Sequence, residues 1–176
     1  MRASWRGVIG AVGPLLLAAA MVGCGGKGVP NPMSPQQARA QVIDAGKEMV
    51  RDLGLQGQLV KTVFSYESCT DNNKGPFRGK LAMQFWMPGA SRSHPVDPAT
   101  VYTALRQHGW QSDSDFHSHS VAMQKDGVVA VLDVYNADPP AVAHVGVEMR
   151  GQCRDTYDHS KDPFDWGDVT TELQSQ

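Results

Sequence analysis

The chain holds three cysteines, Cys24, Cys69 and Cys153, and the fate of the first restricts the other two. Cys24 follows an apolar run at residues 8–22, itself preceded by Arg2 and Arg6. A basic start, a short apolar stretch and small residues before a processing point have the build of a secretory signal. Two cysteines then remain in a domain bound for an oxidising compartment, where two thiols ordinarily pair. A Cys69–Cys153 bridge is therefore expected, and any fold must bring those two distant positions together. The rival is a reactive or metal-binding thiol pair, but the chain has no C-x-x-C and no zinc-type spacing.

The processing point reads Met21-Val22-Gly23-Cys24 and resembles a bacterial lipobox, with Met21 where leucine is commonest. Cleavage before Cys24 would expose an amino-terminal thiol to acceptance of a diacylglycerol group. An uncleaved membrane helix is the alternative. At 15 residues the run is shorter than the roughly 20 a bilayer needs, and Gly10, Gly13 and Pro14 weaken it as a helix. Residues 1–23 are thus expected to be a lipoprotein signal peptide. Cys24 is the expected lipidation site, holding the protein at the extracytoplasmic face of the cell membrane through acyl chains such as palmitate.

Residues 24–33 are rich in glycine and proline and read as a flexible tether, reaching at most about 35 Å. Residues 154–176 form an acidic tail with six acids against two bases. Phe164 and Trp166 could fold a short piece of it onto the body; the rest is expected to be a mobile end. The body is nearly neutral, so the chain lacks the basic footprint of a nucleic-acid binder.

Residues 34–153 are expected to be one α+β domain. Ser34-Pro35-Gln36-Gln37 has the build of a capping box, followed by Ala38, Val42, Ala45, Met49 and Leu53 at helical spacing, with Gly54 to end the helix. A strand at 58–68 turns Val60, Thr62, Phe64 and Tyr66 inward, and a second follows at 77–87. Asp97 and Pro98 open another helix, Gly109 ends it, and Trp110 turns back toward the core. Residues 111–120 are polar and left unassigned. Strands at 121–125 and 128–135 flank Asp126-Gly127, a strong hairpin signal. A last strand starts near residue 141, with His144, Glu148 and Arg150 outward. The order α-β-β-α-β-β-β predicts an antiparallel sheet of about five strands with two helices packed on one face.

The candidate chemistry is sparse. Asp113, Asp115, His117 and His119 alternate, and in an extended segment they would project the same way. Carboxylates and imidazoles suit zinc or copper, with His144 a further ligand, but a wet strand face has the same composition. Trp86, beside Arg78, Lys80 and Gln84, either anchors a partner or is covered by Phe164 or Trp166 of the tail. There is no nucleophile elbow, no H-E-x-x-H and no phosphate-cradling loop, so no catalytic residue is assigned and no cofactor is expected.

Phe64-Ser65-Tyr66-Glu67-Ser68-Cys69, Gly75-Pro76-Phe77, His108-Gly109-Trp110 and Gly151-Gln152-Cys153, together with the lipobox, resemble mycobacterial Lpp-type envelope lipoproteins of the LppA-like kind. The resemblance implies a cell-envelope lipoprotein and carries no catalytic residues with it. The expected function is that of a membrane-anchored binding or accessory module with an envelope protein as partner. The alternative is a metal-binding lipoprotein using the His/Asp cluster.

Overall fold

The Ser34 hydroxyl accepts from the Gln37 N–H (3.2 Å) and the Gln37 side chain accepts from the Ser34 N–H (2.8 Å), forming the expected capping box. The helix it starts, α1 (Pro35–Asp52), buries Ala38, Val42, Ile43, Gly46, Met49 and Val50 on one stripe. This computed structural model describes residues 28–112, 118–136, 140, 142–162 and 167–175. The run at residues 1–23, Cys24, Asp113, Asp115, His117, Phe164 and Trp166 lie outside the described residues.

Two long strands follow, β1 (Leu59–Ser68) and β2 (Phe77–Phe85), and then α2 (Pro98–Gln107), capped by the Asp97 carboxylate, which accepts from the Ala99 N–H at 2.9 Å. A two-residue strand β3 (Gln111–Ser112) precedes β4 (Val121–Lys125), β5 (Val128–Val134) and β6 (Val145–Arg150). The chain closes with β7 (Gly167–Asp168) and α3 (Thr170–Gln174). The strands form one antiparallel sheet in the order β3-β4-β5-β6-β2-β1-β7. Among the described residues the sheet therefore has seven strands rather than about five, and there are three α-helices rather than two. The additional strands are two-residue edge pieces, too short to show alternation in a sequence.

Leu81, Met83 and Phe85 of β2, Val145, Val147 and Met149 of β6, and Ala130 and Leu132 of β5 make the core face of the sheet. Val101 and Leu105 of α2, Trp110 and Leu173 of α3 belong to the same buried cluster. Val60 departs from the expected inward set. Leu59 pairs with Phe85 and Lys61 with Gln84, so Val60 is the extra residue of a bulge and stays 45% exposed. The bulge also returns Leu59 to the core side, where it packs partly buried against the core cluster.

The acidic tail is built into the domain, not a loose end. The Phe77 N–H donates to the Asp155 carbonyl (2.7 Å) and the Asp155 N–H to the Phe77 carbonyl (3.0 Å). Asp155 is fully buried, and its carboxylate meets His159 Nε2 at 2.8 Å, while Asp162 meets His159 Nδ1 at 2.5 Å. The His159 ring stacks on Tyr66 with centroids 3.7 Å apart. Farther on, Val169 N–H donates to the Thr62 carbonyl, Leu173 is fully buried, and Arg39 of α1 makes two hydrogen bonds to the Glu172 carboxylate.

Cys69 and Cys153 are joined, with Cα atoms 5.9 Å apart and 84 positions between them in sequence. Cys69 lies just past β1, where its N–H still donates to the Pro76 carbonyl, so the phase of the strand does not decide where its side chain goes. Replacing both cysteines by alanine should lower the free energy of unfolding by roughly 2–5 kcal/mol, since the bond closes a long loop in the unfolded chain. Denaturant titration of the double variant checks this. Leu173→Ala should cost about 2–5 kcal/mol by leaving a cavity between α1 and α3, read in the same titration.

Candidate functional site

Gln41, Asp44, Ala45 and Glu48 recur at three- and four-residue intervals and so share one stripe of α1 beside its core face. Opposite them stands the β4–β5 hairpin. Its turn residues, Asp126 and Gly127, both have positive φ (49° and 77°), the geometry of the tight hairpin that an Asp-Gly pair favours. Between stripe and hairpin lies a cleft of about 230 Å³, lined by these α1 residues, Trp110, Lys125, Asp126 and Val128. It is smaller than a typical drug-sized pocket and suits a compact ligand.

The charges in the cleft are unevenly satisfied. Lys125 Nζ bonds Glu48 at 2.6 Å and the His108 carbonyl at 2.7 Å, with Asp52 at 3.9 Å. Lys125 thus ties the hairpin to α1 and to the end of α2, and its charge is already answered. Asp44 and Asp126 are exposed, and their carboxylates make no hydrogen bond or ion pair among the described residues. Trp110 is 1% exposed, and its indole N–H has no acceptor among the described residues. A buried donor without a partner costs about 1–3 kcal/mol, so this one stands out.

The open face of the sheet carries a second cluster. Glu67 of β1 meets Arg78 at 2.6 Å, Arg150 at 3.2 Å and Lys80 at 3.7 Å; Glu148 meets Arg150 at 2.5 Å and Lys80 at 3.4 Å. Burial pushes the Glu67 carboxyl up, but Arg78, Arg150 and Lys80 outweigh it and hold it below the usual carboxylate range. This network satisfies itself.

His144 is not on an outward face. It precedes β6, is fully buried, accepts the Met87 N–H on Nδ1 at 3.0 Å, and sets Nε2 3.1 Å from the Ser91 carbonyl. Both ring nitrogens are engaged, which leaves no lone pair for a metal. His119 is exposed, and among the described residues no group of three or more His, Cys, Asp or Glu could hold a metal ion. Trp86 is half-buried, edge-on to His144 (centroids 4.8 Å apart) and with the Arg92 guanidinium 5.4 Å over its ring. Sequence reasoning did not identify Asp44, Glu48, Lys125 or Asp126 as a group. The only signal was a polar stripe on α1, which resembles any solvated helix face.

The fold and the cleft describe a disulfide-linked α+β domain with room for a small molecule. Residues 34–172 match the family model described as "Putative lipoprotein LppJ", and the chain belongs to that family. Relatives of the same name from Mycobacterium tuberculosis (strains CDC 1551 / Oshkosh and H37Rv) and Mycobacterium bovis are 31% identical over 150 residues, covering 83% of this chain and 72% of theirs. The mycobacterial Lpp-type resemblance is borne out, and the particular family is LppJ. Membership of a lipoprotein family associates the chain with the cell envelope. No solved structure matches.

Glu67 generates a pH prediction. Its folded pKa lies below the unfolded one, so the unfolded chain takes up more protons as pH falls. Its contribution is full above the ordinary carboxylate value, about 4.3, and is lost as pH drops through the lower folded value. Glu67→Gln should lower stability at neutral pH by about 1–3 kcal/mol by leaving its cationic neighbours unanswered, and should flatten the acid-side loss of stability. Denaturant titrations of both proteins at neutral and acid pH check the sign.

Proposed function

We propose that this protein is an exported lipoprotein, anchored at the extracytoplasmic face of the cell membrane through Cys24, that works by binding and not by catalysis. The observation that carries the reading is the Cys69–Cys153 bond in a chain whose remaining cysteine follows an export-type apolar run. A structural disulfide belongs to an oxidising compartment.

The start of the domain fits a tether. The Met33 N–H donates to the Arg154 carbonyl (2.7 Å) and Arg154 Nε donates to the Asn31 carbonyl (2.6 Å), so the chain departs from a fixed point. Seven residues, 24–30, separate Cys24 from that point and can span at most about 25 Å, so an anchor at Cys24 keeps the domain near the membrane surface. The binding part of the reading rests on the cleft beside α1, where the carboxylates of Asp44 and Asp126, without a hydrogen bond or ion pair among the described residues, stand beside Ala45 and Val128.

Mass spectrometry of the amino-terminal peptide of the mature protein should find Cys24 as the first residue, carrying a thioether-linked diacylglycerol. Cys24→Ala should abolish membrane association. A free sulfur at Cys24, or a variant that stays membrane-bound, would refute the anchor.

A further inference from the structure

We propose that the loop following β2 is an acid-released clasp, held closed by an uncharged His144 and freed when that ring takes up a proton. His144 is fully buried, and the bonds to its ring admit one protonation state. The Met87 N–H donates to Nδ1 at 3.0 Å, so Nδ1 must keep its lone pair. Nε2 lies 3.1 Å from the Ser91 carbonyl, an acceptor, so Nε2 must carry the proton. A second proton, on Nδ1, would face the Met87 N–H, donor against donor. The closed loop therefore has no place for the imidazolium. Few other bonds hold it closed. Met87 and Val96 pack against the core at its two ends, and Ser91 to His94 between them are exposed. Besides the bonds to His144, the one hydrogen bond from residues 87–94 to the rest of the domain, among the described residues, is a long contact from Arg92 to Gln58 (3.4 Å).

The surroundings offer a charged ring no compensation. From β2 and its loop come Trp86, edge-on to the imidazole, Arg92, whose guanidinium lies 5.4 Å over Trp86, and His94, bonded to Ser93 Oγ. From β5 come Tyr135, whose N–H donates to the His144 carbonyl, and Asp133, which accepts from the Ser120 hydroxyl. The charges of β6, Glu148 and Arg150, belong to the network on the open sheet face. Among the described residues no carboxylate makes an ion pair with the His144 ring, and Arg92 adds like charge nearby. His159 is the opposite case, with a carboxylate on each ring nitrogen. A charged His144 is therefore accommodated only when the loop lifts and water reaches the ring, which also takes Arg92 off Trp86.

The test is amide hydrogen exchange on the purified full chain in detergent micelles, corrected for the intrinsic rate. It compares about pH 7.5 with about pH 5.5, one unit either side of the ordinary histidine value of about 6.5. Because the open loop alone takes up the proton, the closed form is favoured above that value and lost below it. The open fraction of residues 87–94 should rise about tenfold between the two conditions, with β2 and β5 unchanged. Both conditions lie above the range in which Glu67 titrates. His144→Gln, uncharged throughout, should abolish the rise, and His94→Gln, an exposed change in the same loop, should leave it intact. Ring ¹⁵N shifts of His144, assigned by its contact with Trp86, should show a proton on Nε2 alone at the higher pH. Exchange that does not change with pH, a rise that survives His144→Gln or vanishes in His94→Gln, or a proton on Nδ1 at the higher pH would overturn the proposal. Should His144→Gln fail to fold, the wild-type exchange, the ring tautomer and His94→Gln still decide it.

Discussion

The arrangement depends on how closely α1 lies on β2. A Cβ at Gly79 would sit 2.4 Å from the Ala38 carbonyl oxygen, backbone that cannot move aside. A Cβ at Gly46 would sit 2.5 Å from Leu81 and 3.0 Å from Leu173. At Gly79 the backbone of α1 occupies the space a side chain would need, and at Gly46, on the helix itself, the side chains of Leu81 and Leu173 do. That contact fixes the height of α1 over the sheet and with it everything α1 carries. Arg39 reaches Glu172 only at that height, and the Gln41–Glu48 stripe faces the hairpin only at that rotation. A helix held farther off would widen the cleft and break the Glu48–Lys125 contact that closes it.

The tail completes what α1 begins. Without β7, β1 would offer a row of unpaired backbone groups at the edge of the sheet, a template for unwanted pairing. Gly167 and Asp168 pair with Phe64 and Val63, and Thr170 Oγ1 accepts the Thr62 N–H at 2.8 Å. The covalent bond at Cys153, the backbone pair between Asp155 and Phe77, and the His159–Tyr66 stack hold the chain on course toward that edge. Because Asn31 and Met33 are both bonded to Arg154, the first described residues and the tail meet at one point.

The parts legible in the sequence were those set by local chemistry. Ser34 with Gln37 and Asp97 with Pro98 each announce a helix start because the side chain itself makes the capping bond, and Asp126-Gly127 announces a turn because both residues tolerate the positive φ it needs. The cysteine pair was legible because only two candidates remained. Features set by long-range contact were not. The bulge at Val60 depends on the register with β2, and the edge strands depend on a neighbour being present. His144 lies where period-two counting sets it outward, but it precedes β6 and turns into the loop that follows β2. The cleft joins Glu48 to Lys125 across 77 positions, and no motif spans such a gap.

Two polar surfaces compete for the role of binding site, and their hydrogen-bond balance separates them. On the open sheet face, three cations and two carboxylates already answer one another at 2.5–3.7 Å. A ligand arriving there must first break contacts of the kind it would make, so the net gain is small. In the cleft Lys125 is likewise answered by Glu48 and the His108 carbonyl, but the carboxylates of Asp44 and Asp126 make no hydrogen bond or ion pair among the described residues. A ligand arriving there meets acceptors that it need not first free from a partner, so the cleft beside α1 is the better placed of the two, although the charges are more numerous on the sheet face.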